Sequence, residues 1–466
     1  MRWRTVGPGL LLAAAAAAFA LARPARTAVD VATGYAAKLT CSLSLVSGQA
    51  PERIRAELLD RVLWPASPLL RLTPADCCAR ASLLGLAGSR AVHRAGRGCT
   101  LLAGRDEHAI ASLPELLPRP RLDPAVAWPD GDAGPAGPAP AAVEAAIDEA
   151  FREVDPPGSG RIRQTKAVVV VHDGRLVAER YADGVTATTP MISWSMAKSV
   201  TASLVGIAVS EGRLSLEGPA RVPEWSSPAD PRHAITLDQL LHMSSGLRFD
   251  ETYGAINDVS RMLFTEPDTA AYAARSELAA PPGTAWSYSS GTTNIVARLL
   301  AASVGGDVAS FVRWSREKLF DPARLASAFF EHDAAGTPVG SSFAYMTARD
   351  WARFGELYRN DGVAGGRRVL PEGWVRYVTT PAPKAPKGQY GAHWWLNAGE
   401  PSNPGDRPWP KLPPDAFAAR GYTGQWVLVV PSRKLVIVRL GIAFPDDGDD
   451  GTEELGRAVI AALAPR

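Results

Sequence analysis

The chain has 466 residues, of which 46% are hydrophobic and 21% are charged, a composition typical of globular proteins. Its 50 basic and 48 acidic residues nearly balance, which leaves a formal net charge of +2. So small a net charge provides no strong field for a polyanion, and we expect no nucleic-acid partner. The length permits one large domain or two to three ordinary ones.

Residues 1–28 have the pattern of a targeting segment. Two arginines precede an apolar run from Leu10 to Ala22, and two more follow it. As a helix the run would span about 20 Å, or about 26 Å if it begins at Val6, against ~30 Å of bilayer hydrocarbon. We interpret it as a signal peptide or an uncleaved membrane anchor rather than an Ala-rich core helix. The protein is therefore expected to be exported, either periplasmic or otherwise extracytoplasmic, with a tether to the inner membrane if the segment is retained.

All four cysteines lie in residues 29–110, a region with short apolar segments. They are Cys41, Cys77, Cys78 and Cys99, and four cysteines allow three pairings. Cys77 with Cys78 is the least expected pair, because a bond between adjacent cysteines is strained. We favour Cys41 with Cys99, and unpaired buried thiols are the alternative. The absence of a CxxC motif gives no support to a zinc or redox site.

Residues 111–141 are rich in proline and are interpreted as a linker or an irregular wrapped segment. From residue 142 onward the pattern is regular. It first predicts a helix at 142–154 and a hairpin at 166–182 that turns at Asp173-Gly174. A buried helix at 195–211, a short helix at 235–243 and a helix at 347–362 capped by Thr347 follow. The last elements are paired strands at 425–431 and 434–442 and a helix at 452–464. Strands at both ends with helices between them indicate an α/β fold, a sheet covered by helices with a mainly helical subdomain.

Ser195 and Lys198 stand three residues apart at the start of the predicted buried helix. Residues at that spacing share a helix face, so the amine lies within reach of the hydroxyl. A serine hydroxyl becomes a good nucleophile when a base removes its proton, and a neutral lysine can be that base. Burial favours the neutral amine. The apolar surroundings would make an idle lysine costly.

Ser-x-x-Lys is a weak pattern by itself, and the chain contains a second copy, Ser315 with Lys318. Charged residues lie inside this second copy, which we place on a polar helix face and interpret as a chance match. Two further features lie in suitable places. Tyr288 precedes another predicted helix, where a phenol can pass protons to a leaving group. Thr423-Gly424 begins a predicted core strand, where a glycine lets a substrate approach the backbone.

Ser195-x-x-Lys198, Tyr288-Ser289-Ser290 and Tyr422-Thr423-Gly424 together resemble the three motifs of the serine β-lactamase and penicillin-binding-protein superfamily. "LLHMSSGL" and "LYRNDG" resemble its class C-like branch, which includes 6-aminohexanoate-dimer hydrolase and related esterases. The resemblance spans residues 142–466. It implies a β-lactamase-like fold, in which an antiparallel sheet is flanked by helices; residues before 142 form an extension outside it.

The resemblance also implies roles for individual residues. Ser195 would be the acylated nucleophile, Lys198 its base, and Tyr288 a proton shuttle. Backbone N–H groups of Ser195 and Gln425 would form the oxyanion hole, beside Tyr422, Thr423 and Gly424. The side chains expected to line the pocket, with core packing as the alternative, are Trp394 and Trp395.

The chain departs from the family pattern at two positions. Penicillin-directed members carry asparagine where Ser290 stands, and lysine where Tyr422 stands. The missing lysine would bind the carboxylate of a β-lactam or peptide, so we favour hydrolysis of a small-molecule ester or amide. A cell-wall peptidase or β-lactamase is one alternative, and an inactive ligand-binding homologue is another.

Other hydrolase classes find less support in the sequence. The 7 histidines are scattered without HxxxH or HxH spacing, which argues against a metallohydrolase. No G-x-S-x-G motif of the α/β-hydrolases occurs. We therefore expect neither a metal nor another cofactor.

Overall fold

The computed structural model describes residues 8–85, 87–107, 122–153, 162–254, 256–444 and 450–464, with the backbone alone before residue 24. The apolar side chains of the predicted targeting segment therefore lie outside the described residues. So do residues 108–121, which include the start of the predicted proline-rich linker.

The longer helices are α1 Pro8–Leu45, α2 Ala141–Phe151, α3 Met196–Ser210, α4 Ser290–Ser303, α5 Val308–Ser315, α6 Ala348–Arg359 and α7 Thr452–Ala462. Shorter helices span Pro51–Ile54, Asp60–Val62, Leu237–Leu241, Asp258–Phe264, Thr269–Ala274 and Trp374–Val378, and π-helical turns span Arg55–Leu59 and Arg316–Phe320. The helices predicted from the sequence are confirmed to within a few residues. Thr347 caps α6 as expected, its hydroxyl accepting a hydrogen bond from the Asp350 N–H.

The strands are β1 Leu70–Ala75, β2 Cys78–Leu83, β3 Ala87–Arg94, β4 Gly98–Leu101, β5 Thr165–His172, β6 Arg175–Tyr181, β7 Met191–Ile192, β8 Phe329–Phe330, β9 Ala344–Met346, β10 Val363–Ala364, β11 Arg367–Arg368, β12 Trp395–Leu396, β13 Phe417–Gly421, β14 Gln425–Val430 and β15 Leu435–Gly441. The main sheet is antiparallel and has six strands in the order β12-β13-β14-β15-β5-β6. Both predicted strand pairs, β5 with β6 and β14 with β15, belong to it.

The main sheet is buried on both faces, which explains the unbroken apolar run of β5. Val168 and Val170 pack on one face beneath α2 and α7. Val169 and Val171 lie on the other face in the main core, which also contains α3 and α6. Because successive side chains of a strand point to opposite faces, a sheet covered on both sides requires apolar residues at every position.

The N-terminal extension, residues 24–107, packs directly against the body of the protein. Its four strands form an antiparallel meander in the order β1-β2-β3-β4, and the buried part of α1 lies across that sheet. Cys41 of α1 and Cys99 of β4 form a disulfide, the pairing favoured above, whereas Cys77 and Cys78 carry free thiols. α1 runs through residue 28 without a break.

α1 also approaches the helix Asp258–Phe264 of the body very closely. A Cβ atom on Gly34 would lie 1.9 Å from the Phe264 carbonyl oxygen, so only glycine fits at this position. Nearby, the Lys38 ammonium forms a fully buried ion pair with the Glu331 carboxylate. The Ser42 hydroxyl and the Cys99 N–H also donate hydrogen bonds to Glu331, at 2.8 Å and 2.6 Å. The extension and the body therefore share one core.

Among the described residues, no single helix is long and apolar enough to cross a bilayer. One pair, Ser290–Ser303 with Val308–Phe320, passes by length and composition but is bent by 91°.

Candidate active site

Ser195 lies at the point where a short strand turns sharply into α3. β7 is held against β9, and the Ser193 hydroxyl accepts a hydrogen bond from the Ala344 N–H at 3.0 Å while donating to the Ser342 carbonyl at 3.1 Å. Trp194 then adopts a left-handed backbone conformation with φ of 44°. This turn leaves Ser195 half-buried at the N-cap of α3, immediately before its first turn, where unpaired N–H groups favour negative charge.

Lys198 is buried directly beside Ser195. Its Nζ lies 3.0 Å from the Ser195 Oγ, 2.9 Å from the Ser290 Oγ and 3.1 Å from the Ser341 carbonyl oxygen. Only 1% of the lysine is exposed. Because burial penalises the ammonium form, the pKa of Lys198 falls to about 8, although the charge of Glu251 acts in the opposite direction.

Glu251 is a site residue that the sequence analysis missed. Its carboxylate accepts hydrogen bonds from the Ser290 hydroxyl at 2.5 Å and from the Ser290 N–H at 2.7 Å. Burial raises the pKa of Glu251, and Lys198 lowers it in part. The residue lies in a loop without a periodic pattern, so no local signal in the sequence identified it. Ser290, noted above only as a departure from the family pattern, links Glu251 to Lys198.

Tyr288 completes the group around Lys198. The Lys198 Nζ lies 4.8 Å from the centre of the Tyr288 ring, and the Tyr288 hydroxyl interacts with Ser195. Burial and then the charge of Glu251 raise the pKa of Tyr288 above its usual value, so the phenol keeps its proton. The structure thus brings Ser195, Lys198 and Tyr288 together.

The third predicted motif forms the tight turn between β13 and β14. Thr423 and Gly424 both have left-handed backbones, with φ of 59° and 76°. The side-chain amide of Gln425 fixes the turn by donating to the Gly441 carbonyl at 2.5 Å and to the Thr423 carbonyl at 3.1 Å. A Cβ on Gly421 would lie 2.2 Å from the Ser193 carbonyl oxygen, so this hairpin passes directly beside the turn that carries Ser195.

Comparison with known sequences places these residues in a family. The profile of the family described as Beta-lactamase matches residues 153–462, about two thirds of the chain. The chain belongs to the Beta-lactamase family. The extension that contains α1 and the β1–β4 meander lies outside the matched region.

Relatives in the Beta-lactamase family include hydrolases. The chain is 26% identical over 311 residues to a 6-aminohexanoate-dimer hydrolase of Paenarthrobacter ureafaciens, an alignment that covers 60% of this chain and 73% of the relative. A solved penicillin-binding protein homolog from Caulobacter crescentus has a TM-score of 0.52 at 18% identity, covering 70% of this chain and 99% of its own. A family VIII carboxylesterase has a TM-score of 0.52 at 17% identity, covering 71% and 99%. The fold is therefore β-lactamase-like, and the protein is a serine hydrolase.

The two tryptophans expected to line the pocket of this Beta-lactamase family member lie in different places. Trp394 is fully buried and packs against Phe354 and Tyr358, so its expected place in the pocket is wrong. Trp395 is half-buried, with its ring centre 5.3 Å from that of Tyr288. Adjacent residues of an extended chain point to opposite sides, so only one of the two can face the site.

Tyr422, at the position where penicillin-directed members of the family carry lysine, belongs to an aromatic cluster. Its ring stacks on Tyr253 with centres 4.4 Å apart and an interplanar angle of 5°. It also makes an edge contact with Trp194, with centres 5.3 Å apart. Aromatic rings therefore occupy the space beside Ser195 on this side of the site.

The second Ser-x-x-Lys pair forms no comparable arrangement. The predicted polar helix face is wrong for Ser315, which is buried and whose hydroxyl donates to the Val312 carbonyl at 3.1 Å. Lys318 instead pairs with the carboxylates of Glu211 and Glu317, both at 3.1 Å. Within the described ranges, no group of three or more His, Cys, Asp or Glu side chains could hold a metal ion.

Proposed function

We propose that the protein hydrolyses an ester or amide through an acyl-enzyme on Ser195. The observation that carries this proposal is the 3.0 Å contact between the buried Lys198 amine, whose pKa is lowered to about 8, and the Ser195 hydroxyl. A neutral amine at that distance can accept the hydroxyl proton as the nucleophile attacks. An inactive ligand-binding homologue would have no need for such a pair.

In the acylation step, the Ser195 Oγ forms a bond to the substrate carbonyl carbon as its proton passes to the Lys198 Nζ. The carbonyl oxygen becomes an oxyanion, for which the backbone N–H groups of Ser195 and Gln425 are the proposed donors. Each such donor is typically worth ~2.7–4 kcal/mol in the transition state. The bond to the alcohol or amine then breaks, and the leaving group takes a proton.

Tyr288 is the proposed carrier of that proton. Its raised pKa keeps the phenol protonated, so the hydroxyl can donate to the leaving group and be reprotonated from the Lys198 ammonium. Deacylation then runs in the reverse sense. Water gives its proton to the relay and its oxygen to the carbonyl carbon, and the Ser195 oxygen leaves with a proton to regenerate the hydroxyl.

The aromatic pair of Tyr253 and Tyr422 favours an ester or amide over a β-lactam or a cell-wall peptide. Recognition of a substrate carboxylate would call for a cation where the stacked Tyr422 ring lies. A cell-wall peptidase or β-lactamase remains the second candidate, carried by the family membership.

The direct test is labelling with a fluorophosphonate, which reacts with activated serines, followed by mass mapping of the modified peptide. We expect the label on Ser195 and none on the Ser195→Ala variant. Ser315→Ala is the matched control, since it removes the serine of the second Ser-x-x-Lys pair, and it should label like the wild type. A label on Ser315, or its persistence in Ser195→Ala, would show that the nucleophile is wrongly assigned.

A further inference from the structure

A cavity of about 480 Å³ lies between the N-terminal extension and the body of the protein. One wall is formed by α1, through residues that include Ala28, Ala32 and Tyr35, and by the segment that follows Leu63. The opposite wall includes Tyr253 and Tyr422 of the body. The volume lies within the ~300–1,000 Å³ range of small-molecule sites. Because the family match begins at residue 153, the α1 wall is a feature of this chain's own extension.

Residues of the cavity wall also pack against the residue that precedes the proposed nucleophile. Trp194, which precedes Ser195, contacts three tyrosines of the cavity wall. The ring-centre distances are 5.3 Å to Tyr422, 6.0 Å to Tyr253 and 6.4 Å to Tyr35. The cavity and the turn that carries Ser195 therefore share an aromatic wall.

The lining is mostly aliphatic and aromatic, with a few polar atoms. Two lining residues, Tyr35 and Tyr253, carry hydroxyls that are buried and have no hydrogen-bond partner among the described residues. Such a lining suits a long apolar chain that carries few polar groups.

The cavity does not lie on the side of Ser195 where the leaving group is expected. Tyr288, the proposed proton donor to that group, packs against Tyr390 and Trp395, with ring-centre distances of 5.6 Å and 5.3 Å. None of these three residues lines the cavity. If the leaving group lies toward Tyr288, the acyl part of the substrate is the part left to face the cavity.

We propose that this cavity binds the acyl chain of the substrate, so that the protein is selective for esters or amides of medium- to long-chain carboxylic acids. This inference rests on the proposed acyl-enzyme at Ser195. The chain would enter with the substrate, remain in the cavity while the acyl group is bound to Ser195, and leave as the free carboxylic acid after hydrolysis. α1 and the segment after Leu63 determine how long a chain can be accommodated.

Exposed apolar side chains of the extension, one of them in the cavity wall, indicate how such amphiphilic substrates could be delivered. Trp64, a lining residue, is 71% exposed, while Leu84 and Leu69 are 64% and 48% exposed. The last two lie together, since the Leu84 N–H donates to the Leu69 carbonyl. We call these three residues the apolar rim. Exposed tryptophan and leucine side chains of this kind partition into the surface of a bilayer or micelle.

The test is a series of nitrophenyl esters of acetate, butyrate, octanoate and dodecanoate, each assayed below its aggregation concentration with the full chain. Each methylene buried in the cavity should raise kcat/KM by up to about fourfold. We expect octanoate to exceed acetate by at least tenfold. Ala32→Phe places a phenyl ring in the cavity and should reduce the octanoate-to-acetate ratio at least tenfold. Ala28→Phe, one helical turn earlier and half-buried, tests the same wall if the first variant does not fold.

The matched control is Ala56→Phe, an exposed alanine of the extension that does not line the cavity. This variant should keep the wild-type ratio. A wild type that hydrolyses acetate and octanoate at equal rates would overturn the acyl-chain inference and leave the proposed hydrolase intact. So would folded Ala32→Phe and Ala28→Phe variants with an unchanged ratio. Failure of the wild type to react with any ester or with a fluorophosphonate would instead overturn the proposed function itself.

A second arm separates a membrane source of the ester from a dissolved one. The same long-chain ester is presented in phosphatidylcholine vesicles, and the wild type is compared with Trp64→Ser/Leu84→Ser. If the substrate is taken from a bilayer, the hydrolysis rate of the rim variant falls at least fivefold more on vesicles than on dissolved ester. If the substrate is taken from solution, its rate falls by the same factor on both. Either result is compatible with the acyl-chain cavity, which the chain-length series alone decides.

Discussion

Lys38 and Glu331 are 293 residues apart in the sequence, yet they form a buried ion pair that joins α1 to the body of the protein. Side-chain exposure is 3% for the lysine and 0% for the glutamate. Burial lowers the pKa of Lys38 and raises that of Glu331, and each partner opposes the shift of the other. Removal of either residue would therefore leave the charge of the other buried without compensation.

We expect Lys38→Met to lower the free energy of unfolding by about 3–5 kcal/mol, because it leaves the Glu331 carboxylate buried without a countercharge. The double variant Lys38→Met/Glu331→Leu should recover most of that loss, since both charges are then replaced by apolar groups. Denaturant unfolding followed by circular dichroism and tryptophan fluorescence measures both effects. Lys434→Met breaks an exposed pair with Asp173 and serves as a control, with an expected change of up to ~1 kcal/mol. A double variant less stable than the single one would contradict this account.

Lys198→Arg should fail almost as severely as Lys198→Ala in ester hydrolysis. Arginine stays protonated and cannot accept the Ser195 proton, so both variants lose the general base. The expected loss in kcat/KM is at least ~10²-fold, with folding checked by thermal melting. Lys318→Arg, in the second Ser-x-x-Lys pair, is the matched control and should keep wild-type activity. A folded Lys198→Arg with near wild-type turnover would mean that the site requires a cation rather than a base.

The rate of hydrolysis should rise with pH through about 8 and then level off. Below the lowered pKa of Lys198 the amine is mostly protonated, and the fraction able to act as base falls about tenfold per pH unit. A pH profile of kcat/KM on a substrate without titrating groups measures this rising limb of the rate. A rate independent of pH between 6 and 9 would be inconsistent with lysine as the base.

Glu251→Gln should shift that rising limb to lower pH. The negative charge of Glu251 raises the pKa of Lys198, and glutamine removes the charge while keeping an oxygen that can accept the Ser290 N–H. A purely structural contribution of Glu251 would reduce the rate without moving the limb. Glu317→Gln, at a glutamate that is 65% exposed, is the control and should leave the profile in place.

We also propose that the protein is exported, on the basis of the arginines and apolar run in residues 1–28. A C-terminal fusion to a reporter that is active only outside the cytoplasm should give a signal, and deletion of residues 1–28 should abolish it. N-terminal sequencing of the mature protein then distinguishes a cleaved signal peptide from a retained anchor. A signal confined to a cytoplasmic reporter would contradict export.

The sequence was sufficient to predict features that depend on neighbouring residues. Asp173-Gly174 predicted the hairpin because both residues tolerate positive φ, and the structure gives 50° and 74°. The spacing of Ser195 and Lys198 predicted a shared helix face, and the two side chains indeed meet. The strain of a bond between adjacent cysteines argued against pairing Cys77 with Cys78, and both are free thiols in the structure.

Features that depend on distant segments were missed or misplaced. Glu251 reaches Ser290 from a loop 39 residues earlier, and the contact depends on how that loop packs. Trp394 and Trp395 are chemically equivalent in the sequence, and only the orientation of β12 decides which one is buried. The cavity lined by Tyr253 and Tyr422 could not be anticipated, because its other wall comes from an extension whose packing had no signal in the motifs.

The close fit of Gly34 against Phe264 has a consequence for how this protein can change over generations. A recombination event that replaced codons 1–140 with those of another gene would bring in a helix that was not selected to fit against the Phe264 carbonyl oxygen, 1.9 Å from where a Cβ on Gly34 would lie. It would also remove Lys38, whose ammonium pairs with the Glu331 carboxylate. The two parts of the gene are therefore constrained to be inherited together, and substitutions in α1 are expected to covary with those in the helix Asp258–Phe264.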